Sequence, residues 1–212
     1  MNEYLQPARY IDSDHPAVIS FAKEHAAGRD PLARAVSLYY AVRDGIRYNP
    51  FLDFSKEETF QASRCITAGE GFCIGKAALL AACARADGIP ARVGFADVKN
   101  HLTTPALRER MGTDLFVYHG FAELQIERKW VKATPAFNIE LCQRFRVKPL
   151  EFDGRQDSIF HPFDEEDRRH MEYLRDRGSH ADVPVAEIMQ VFREVYPVLY
   201  GMGKDAATEQ FG

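Results

Sequence analysis

Apolar residues recur at helical spacing through Leu32, Ala35, Val36, Tyr39, Val42 and Ile46, with Asp30-Pro31 ahead of them and Asp44-Gly45 near their end. A capping acid, an early proline and a closing glycine around one apolar stripe predict a helix. A shorter helix is predicted upstream, where Asp14-His15-Pro16 leads into Val18, Phe21, Ala22 and His25 and Gly28 closes the run. Ile46 to Tyr48 is extended up to the Asn49-Pro50 turn, and 59–66 makes a further helical turn before Gly69-Glu70-Gly71 interrupts it. From 73 to 86 the polar face disappears: Ala, Leu and Cys dominate, and Asp87-Gly88 with Pro90 stops the run. That composition predicts a buried helix opened by Cys73. The period then changes. Residues 91–98 alternate as a strand, 101–112 is polar and irregular, and 115–126 and 130–136 flank Glu127-Arg128-Lys129 as the two arms of a hairpin. Beyond 152 the chain is charge-dense, with helices expected over 164–177 and 184–196, the second preceded by Asp182.

Composition narrows the class. With 212 residues and 46% hydrophobic content the chain can bury one sizeable core. Residues 1–150 are expected to form that core. Residues 151–212 are expected as a helical extension packed on it, since about 60 residues scarcely build a large core alone. The 27 Lys and Arg are balanced by 31 Asp and Glu, for a net charge of -4, so there is no cationic excess to hold a nucleic acid. The longest small-apolar run, 77–84, is far short of the roughly 20 residues that cross a bilayer, which predicts no membrane span. The first residues, Met1-Asn2-Glu3-Tyr4, lack the basic and apolar regions of a secretory signal, so a cytoplasmic location is expected. Cys65, Cys73, Cys83 and Cys142 make no Cys-x-x-Cys pair, which disfavours a metal or redox site, and most of them are expected to be buried small hydrophobes.

Cys73 differs from the other three. A thiol on the first turn of a helix meets unpaired backbone N–H groups and the positive end of the helix dipole, and both favour the thiolate. Lys76 would add to that effect, and Gly69, Gly71 and Gly75 would let the backbone approach a substrate. His119 stands out among the histidines because it lies in a strongly strand-like segment, Phe116 to Ala122, where a rigid sheet can aim its ring. Cysteine with histidine is the minimum for nucleophilic acyl transfer, and a third residue should orient the imidazole.

The segments Gly69-Glu70-Gly71-Phe72-Cys73-Ile74-Gly75-Lys76-Ala77, Ala84-Arg85-Ala86-Asp87-Gly88-Ile89-Pro90-Ala91-Arg92-Val93, Tyr118-His119-Gly120-Phe121-Ala122-Glu123-Leu124 and Trp130-Val131 resemble, in order and spacing, the core of the transglutaminase-like superfamily. The resemblance covers residues from about 30 to 140. It implies a papain-like α+β fold in which the nucleophile opens a buried helix packed on an antiparallel sheet. It also implies Cys73 as nucleophile, His119 as general base and acid, and the Cys73 N–H in the oxyanion hole. A group from 61–64 is a candidate for the second oxyanion donor. No cofactor or metal is implied.

One position departs from the family. Where the family has aspartate after tryptophan and valine, this chain has Thr134. Thr134, or Asn138 in the manner of Cys-His-Asn sites, could accept the imidazole N–H. An even-length turn at Glu127-Arg128 would put Thr134, Ala136 and Asn138 on the His119 face, and a bulge would reverse this. Glu123 and Asp114 read as solvated carboxylates, and Trp130 as core. The expected function is thiol-dependent cleavage of an amide or peptide bond in a peptide, protein or small amide. Acyl transfer to an amine or from a thioester, and a binding module without turnover, are the alternatives. Aromatic residues of the charged tail, among them Phe160, Phe163, Tyr173, Phe192, Tyr196 and Tyr200, give it apolar surface that could close a lid over the cleft.

Overall fold

The computed structural model describes residues 2–100, 105–159 and 171–201. Helix α1 is Pro16–His25 and α2 is Pro31–Gly45, each with proline in its first turn. Asp30 caps α2 as expected, accepting the Ala33 N–H at 2.8 Å. At α1 the cap is His15, whose Nδ1 accepts the Ala17 N–H at 3.2 Å, and Asp14 takes no part. The chain then forms β1 (Arg47–Tyr48), a 3-10 turn (Glu57–Phe60), α3 (Ala62–Ala68) and β2 (Glu70–Gly71). β1 and β2 pair in parallel, Tyr48 opposite Gly71, which delivers the chain to α4 (Cys73–Ala86).

α4 is the axis of the fold. Every residue from Cys73 to Arg85 is buried, as a helix apolar on all sides must be. It packs on α1, α2 and α3 and, across its other side, on an antiparallel sheet built from β3 (Ala91–Asn100), β4 (Leu115–Ile126), β5 (Lys129–Ala133) and β6 (Met171–His180). The strand order is β5-β4-β3-β6. At the far end of α4, Arg85 donates to the carbonyls of Ala91 at 2.9 Å and Gln6 at 2.6 Å, and also to that of Ala181, tying three distant segments together. The expected α+β architecture, with the cysteine helix on an antiparallel sheet, is the observed one.

The β4–β5 hairpin closes on Glu127 and Arg128, both with positive φ, as a two-residue turn between right-twisted strands requires. Two segments differ from expectation. α5 (Pro105–Met111) is a helix inside the stretch expected to be irregular, with Leu107 and Met111 buried four positions apart. Residues 171–177, expected as helix, are strand: the free edge of β3 offers a ladder of backbone hydrogen bonds to a segment with no helical stripe. The rest of that expected helix and Phe160 and Phe163 lie outside the described residues. The chain ends its described part with α6 (Ile139–Phe145) before β6, and α7 (Val185–Val195) and α8 (Pro197–Gly201) after it. Asp182 does not cap α7; its carboxylate accepts the Tyr10 and Ile11 N–H groups and fastens the N-terminal segment. Among the described residues no helix is long and apolar enough to cross a membrane.

Candidate active site

Cys73 is the first residue of α4, and Gly120 explains how His119 reaches it. A Cβ on Gly120 would lie 2.9 Å from Ile74 Cα and 3.3 Å from the Cys73 carbonyl oxygen, so the strand backbone rests directly on the first turn of the helix. His119, one residue before, is carried to the same place. Cys73 and His119 both line a cavity of about 40 Å³. Tyr48 enters it from β1, and Phe54, Phe72, Phe192 and Leu199 form much of its apolar wall. Leu107 and Met111 of α5, Phe192 of α7, Tyr196 between α7 and α8, and Leu199 of α8 roof it.

The thiol of Cys73 is 8% exposed, and burial pushes its pKa up to about 11. The backbone N–H groups of Gly120, Ile74 and Cys73 itself pull the other way and are outweighed. The helix start thus behaves as expected in direction, but desolvation exceeds it and the resting group is a thiol, not the expected thiolate. Lys76 contributes nothing to this balance. Its Nζ points away, donating to the carbonyls of Arg43 at 2.8 Å and Ile46 at 2.6 Å at the end of α2. Enclosed there, its pKa falls to about 7, with burial as the cause.

The glycines serve packing. A Cβ on Gly71 or Gly75 would stand 2.7 or 2.8 Å from Cys65 Sγ, so both keep room for that buried thiol, and Gly69 ends α3 at φ +67°. All four cysteines are buried and free.

Thr134 and Asn138 have different surroundings. Thr134 is 2% exposed, its N–H donates to the Ser158 carbonyl at 3.1 Å, and its carbonyl accepts from Tyr39 Oη at 3.2 Å. Its own Oγ1 has no hydrogen-bond partner among the described residues. The hairpin turn is even, and continuing its register past Ala133 sets Thr134 level with Phe121, on the His119 face. Asn138 accepts the Tyr48 N–H through Oδ1 at 3.3 Å, so it holds a residue of the cavity wall. Neither lines the cavity.

Residues 61–64 do not reach the cavity; Gln61 donates to the Arg9 carbonyl at 3.3 Å instead. Glu123, expected to be solvated, is buried and paired with Arg92, while Asp114 meets Lys99 at 3.5 Å. Trp130 is half-buried rather than core, with the Arg92 guanidinium 4.3 Å above its ring. Of two further cavity residues, Tyr48 carries no signal in the sequence, while Tyr196 is one of the tail aromatics expected over the cleft, with hydrogen bonds that the sequence does not announce. Tyr48 sits in a two-residue strand, and Tyr196 is far along the chain from β4, yet its hydroxyl donates to the Leu115 carbonyl at 2.8 Å and accepts the Val117 N–H at 2.7 Å.

No curated protein matches the chain. A solved structure, a provisionally assigned cysteine protease of Cytophaga hutchinsonii, is 19% identical and superposes with a TM-score of 0.47 over 84% of this chain. The match takes in 53% of that structure, so the chain spans about half its length. The family profile of the transglutaminase-like superfamily matches residues 19–135, more than half of the chain, from α1 through β4, which carries His119, and β5, which Thr134 follows. The chain belongs to the transglutaminase-like superfamily.

Proposed function

We propose that the protein cleaves an amide or peptide bond through an acyl-enzyme on Cys73. Family membership supports the general type, a cysteine-dependent peptidase or acyltransferase. The observation that carries the finer assignment is the seating of Gly120 on the first turn of α4, which gives Cys73 and His119 one cavity. With its pKa raised to about 11 the thiol holds its proton at neutral pH. The proton passes to His119 as sulfur attacks the carbonyl carbon. The tetrahedral oxyanion takes hydrogen bonds from the N–H groups that surround the sulfur, with the Tyr48 hydroxyl as side-chain donor. The C–N bond then breaks, the imidazolium returns the proton to the leaving amine, and water, activated by His119, releases the acid and the thiol.

Thr134 Oγ1 is the acceptor assigned to the imidazolium N–H, and Asn138 acts through Tyr48. A neutral acceptor supports the cation less than a carboxylate does, which favours the binding-module alternative. One experiment separates them. The protein is treated with p-nitrophenyl acetate at pH 7, and the acetylated residue is located by mass spectrometry. Acetyl on Cys73, absent from Cys73→Ser and formed at least about 100-fold more slowly in His119→Ala, is the expected result. A Cys73 that stays unmodified would overturn the assignment. Faster product release on adding a primary amine would shift it from hydrolysis to transfer.

A further inference from the structure

The sheet is irregular at one place, just before the proposed base. Along β3 and β4, Ala96 faces His119 but Val98 faces Phe116, so Val117 and Tyr118 together oppose Asp97 in a bulge. Tyr118 has φ +54°, a left-handed backbone that a bulky aromatic residue adopts only when its surroundings impose it. The register of β3 against β6 also slips on either side of the Ala96–Asp97 pair of residues, which brings Arg177 to the same point.

These irregularities meet at Asp97, which is 6% exposed. Its Oδ1 accepts the Tyr118 N–H at 3.1 Å, a donor that the bulge has taken out of the strand ladder. Arg177 grips the same carboxylate with Nε at 3.0 and 3.1 Å and Nη2 at 2.8 Å. The guanidinium also lies 4.5 Å above the Tyr118 ring, whose hydroxyl donates to Glu187 of α7. Tyr118 is therefore held at its N–H, its ring face and its hydroxyl. An Arg–carboxylate pair with this many bonds is rigid, and bulges beside functional sites re-aim side chains.

We infer that Asp97, clamped by Arg177, is a positioning residue for His119: it holds Tyr118 left-handed and so fixes the direction from which the imidazole meets Cys73. In a chain with threonine at the family's aspartate position, the carboxylate steers the base through the backbone rather than through the ring. The inference rests on the acyl-transfer function proposed above for Cys73 and His119.

The test is a kinetic double-mutant cycle on acetylation of Cys73 by p-nitrophenyl acetate at pH 7, with His119→Ala, Asp97→Asn and the double variant. Asp97→Asn is expected to slow acetylation at least about tenfold, and adding His119→Ala to it should cost less than about tenfold more, against about 100-fold in the wild-type background. A merely structural role leaves the His119 factor unchanged, so equal factors in the two backgrounds overturn the inference. Arg177→Gln, near the edge of the sheet, is taken through the same cycle and decides the matter if Asp97→Asn does not fold. Should His119→Ala have no effect in the wild-type background, it is the assignment of His119 as base that fails.

Discussion

The two halves of the site are built by opposite means. Cys73 is placed by a helix whose composition and ends are local properties of one stretch of chain, whereas the approach to His119 is held by side chains from far away. Tyr196 occupies the Leu115 carbonyl and the Val117 N–H, Asp97 the Tyr118 N–H, and Arg177 and Glu187 hold Tyr118 itself. A helix satisfies its own backbone, but a bulged strand leaves donors and acceptors that only other elements can meet. The place of Cys73, the proposed nucleophile, should thus be tolerant of substitution and that of His119, the proposed base, sensitive to it.

The largest effect that would sharpen this contrast is expected at the seam between the halves. Gly120→Val pushes β4 off the helix, and acetylation of Cys73 should fall at least about 100-fold, with a stability loss of about 1–3 kcal/mol read from urea unfolding. Ala81→Gly, in the middle of α4, should cost about 1 kcal/mol and leave the His119 contribution to acetylation intact. Comparable loss of that contribution in both variants would erase the distinction.

Tyr48→Phe comes next. Removing the proposed donor to the oxyanion should slow acetylation by about tenfold to 100-fold. Alkylation by iodoacetamide, which forms no oxyanion, should keep its rate. Parallel losses in the two reactions would mean that Tyr48 shapes the cavity rather than stabilising the intermediate.

Tyr196→Phe strips the partner from two backbone groups at once and should cost about 1–3 kcal/mol. The roof it fastens should loosen, and Cys73 should react with iodoacetamide several-fold faster at pH 8. No change in that rate would separate the staple from access to the thiol. Deleting residues 151–212 is a poorer probe of the same roof, because β6 pairs along β3 and goes with it.

The smallest effect concerns the buried lysine of α4. Lys76 titrates near 7 in the folded protein against about 10.4 unfolded, so between those values the unfolded chain binds more protons and this lysine makes stability rise with pH. Its contribution is complete above the unfolded value and is lost as pH falls through 7. Wild type should therefore gain stability relative to Lys76→Met between pH 6.5 and pH 9.5 in urea unfolding. A constant difference would mean that the ammonium is stabilised by its two carbonyls more than burial costs it.

The sequence by itself determined α2 with its Asp30 cap, the span and all-round apolar character of α4 with Cys73 at its head, and the place of the hairpin turn, whereas the even length of that turn came from the structure. Each follows from residues within a few positions of one another: a cap, a stripe, a charged break between two strand-like runs. The tertiary structure decided what those residues experience. Desolvation, not the helix start, sets the Cys73 thiol, and Lys76 turns to carbonyls of α2 that its neighbours in sequence do not predict. Residues 171–177 became strand because β3 had an unpaired edge, which no local pattern records. Tyr48, Tyr196, Asp97 and Arg177 reach the site from four separate segments, each through a few hydrogen bonds or a shared wall. Burial and long-range hydrogen bonding depend on which surfaces meet, and that is settled only when the chain has folded.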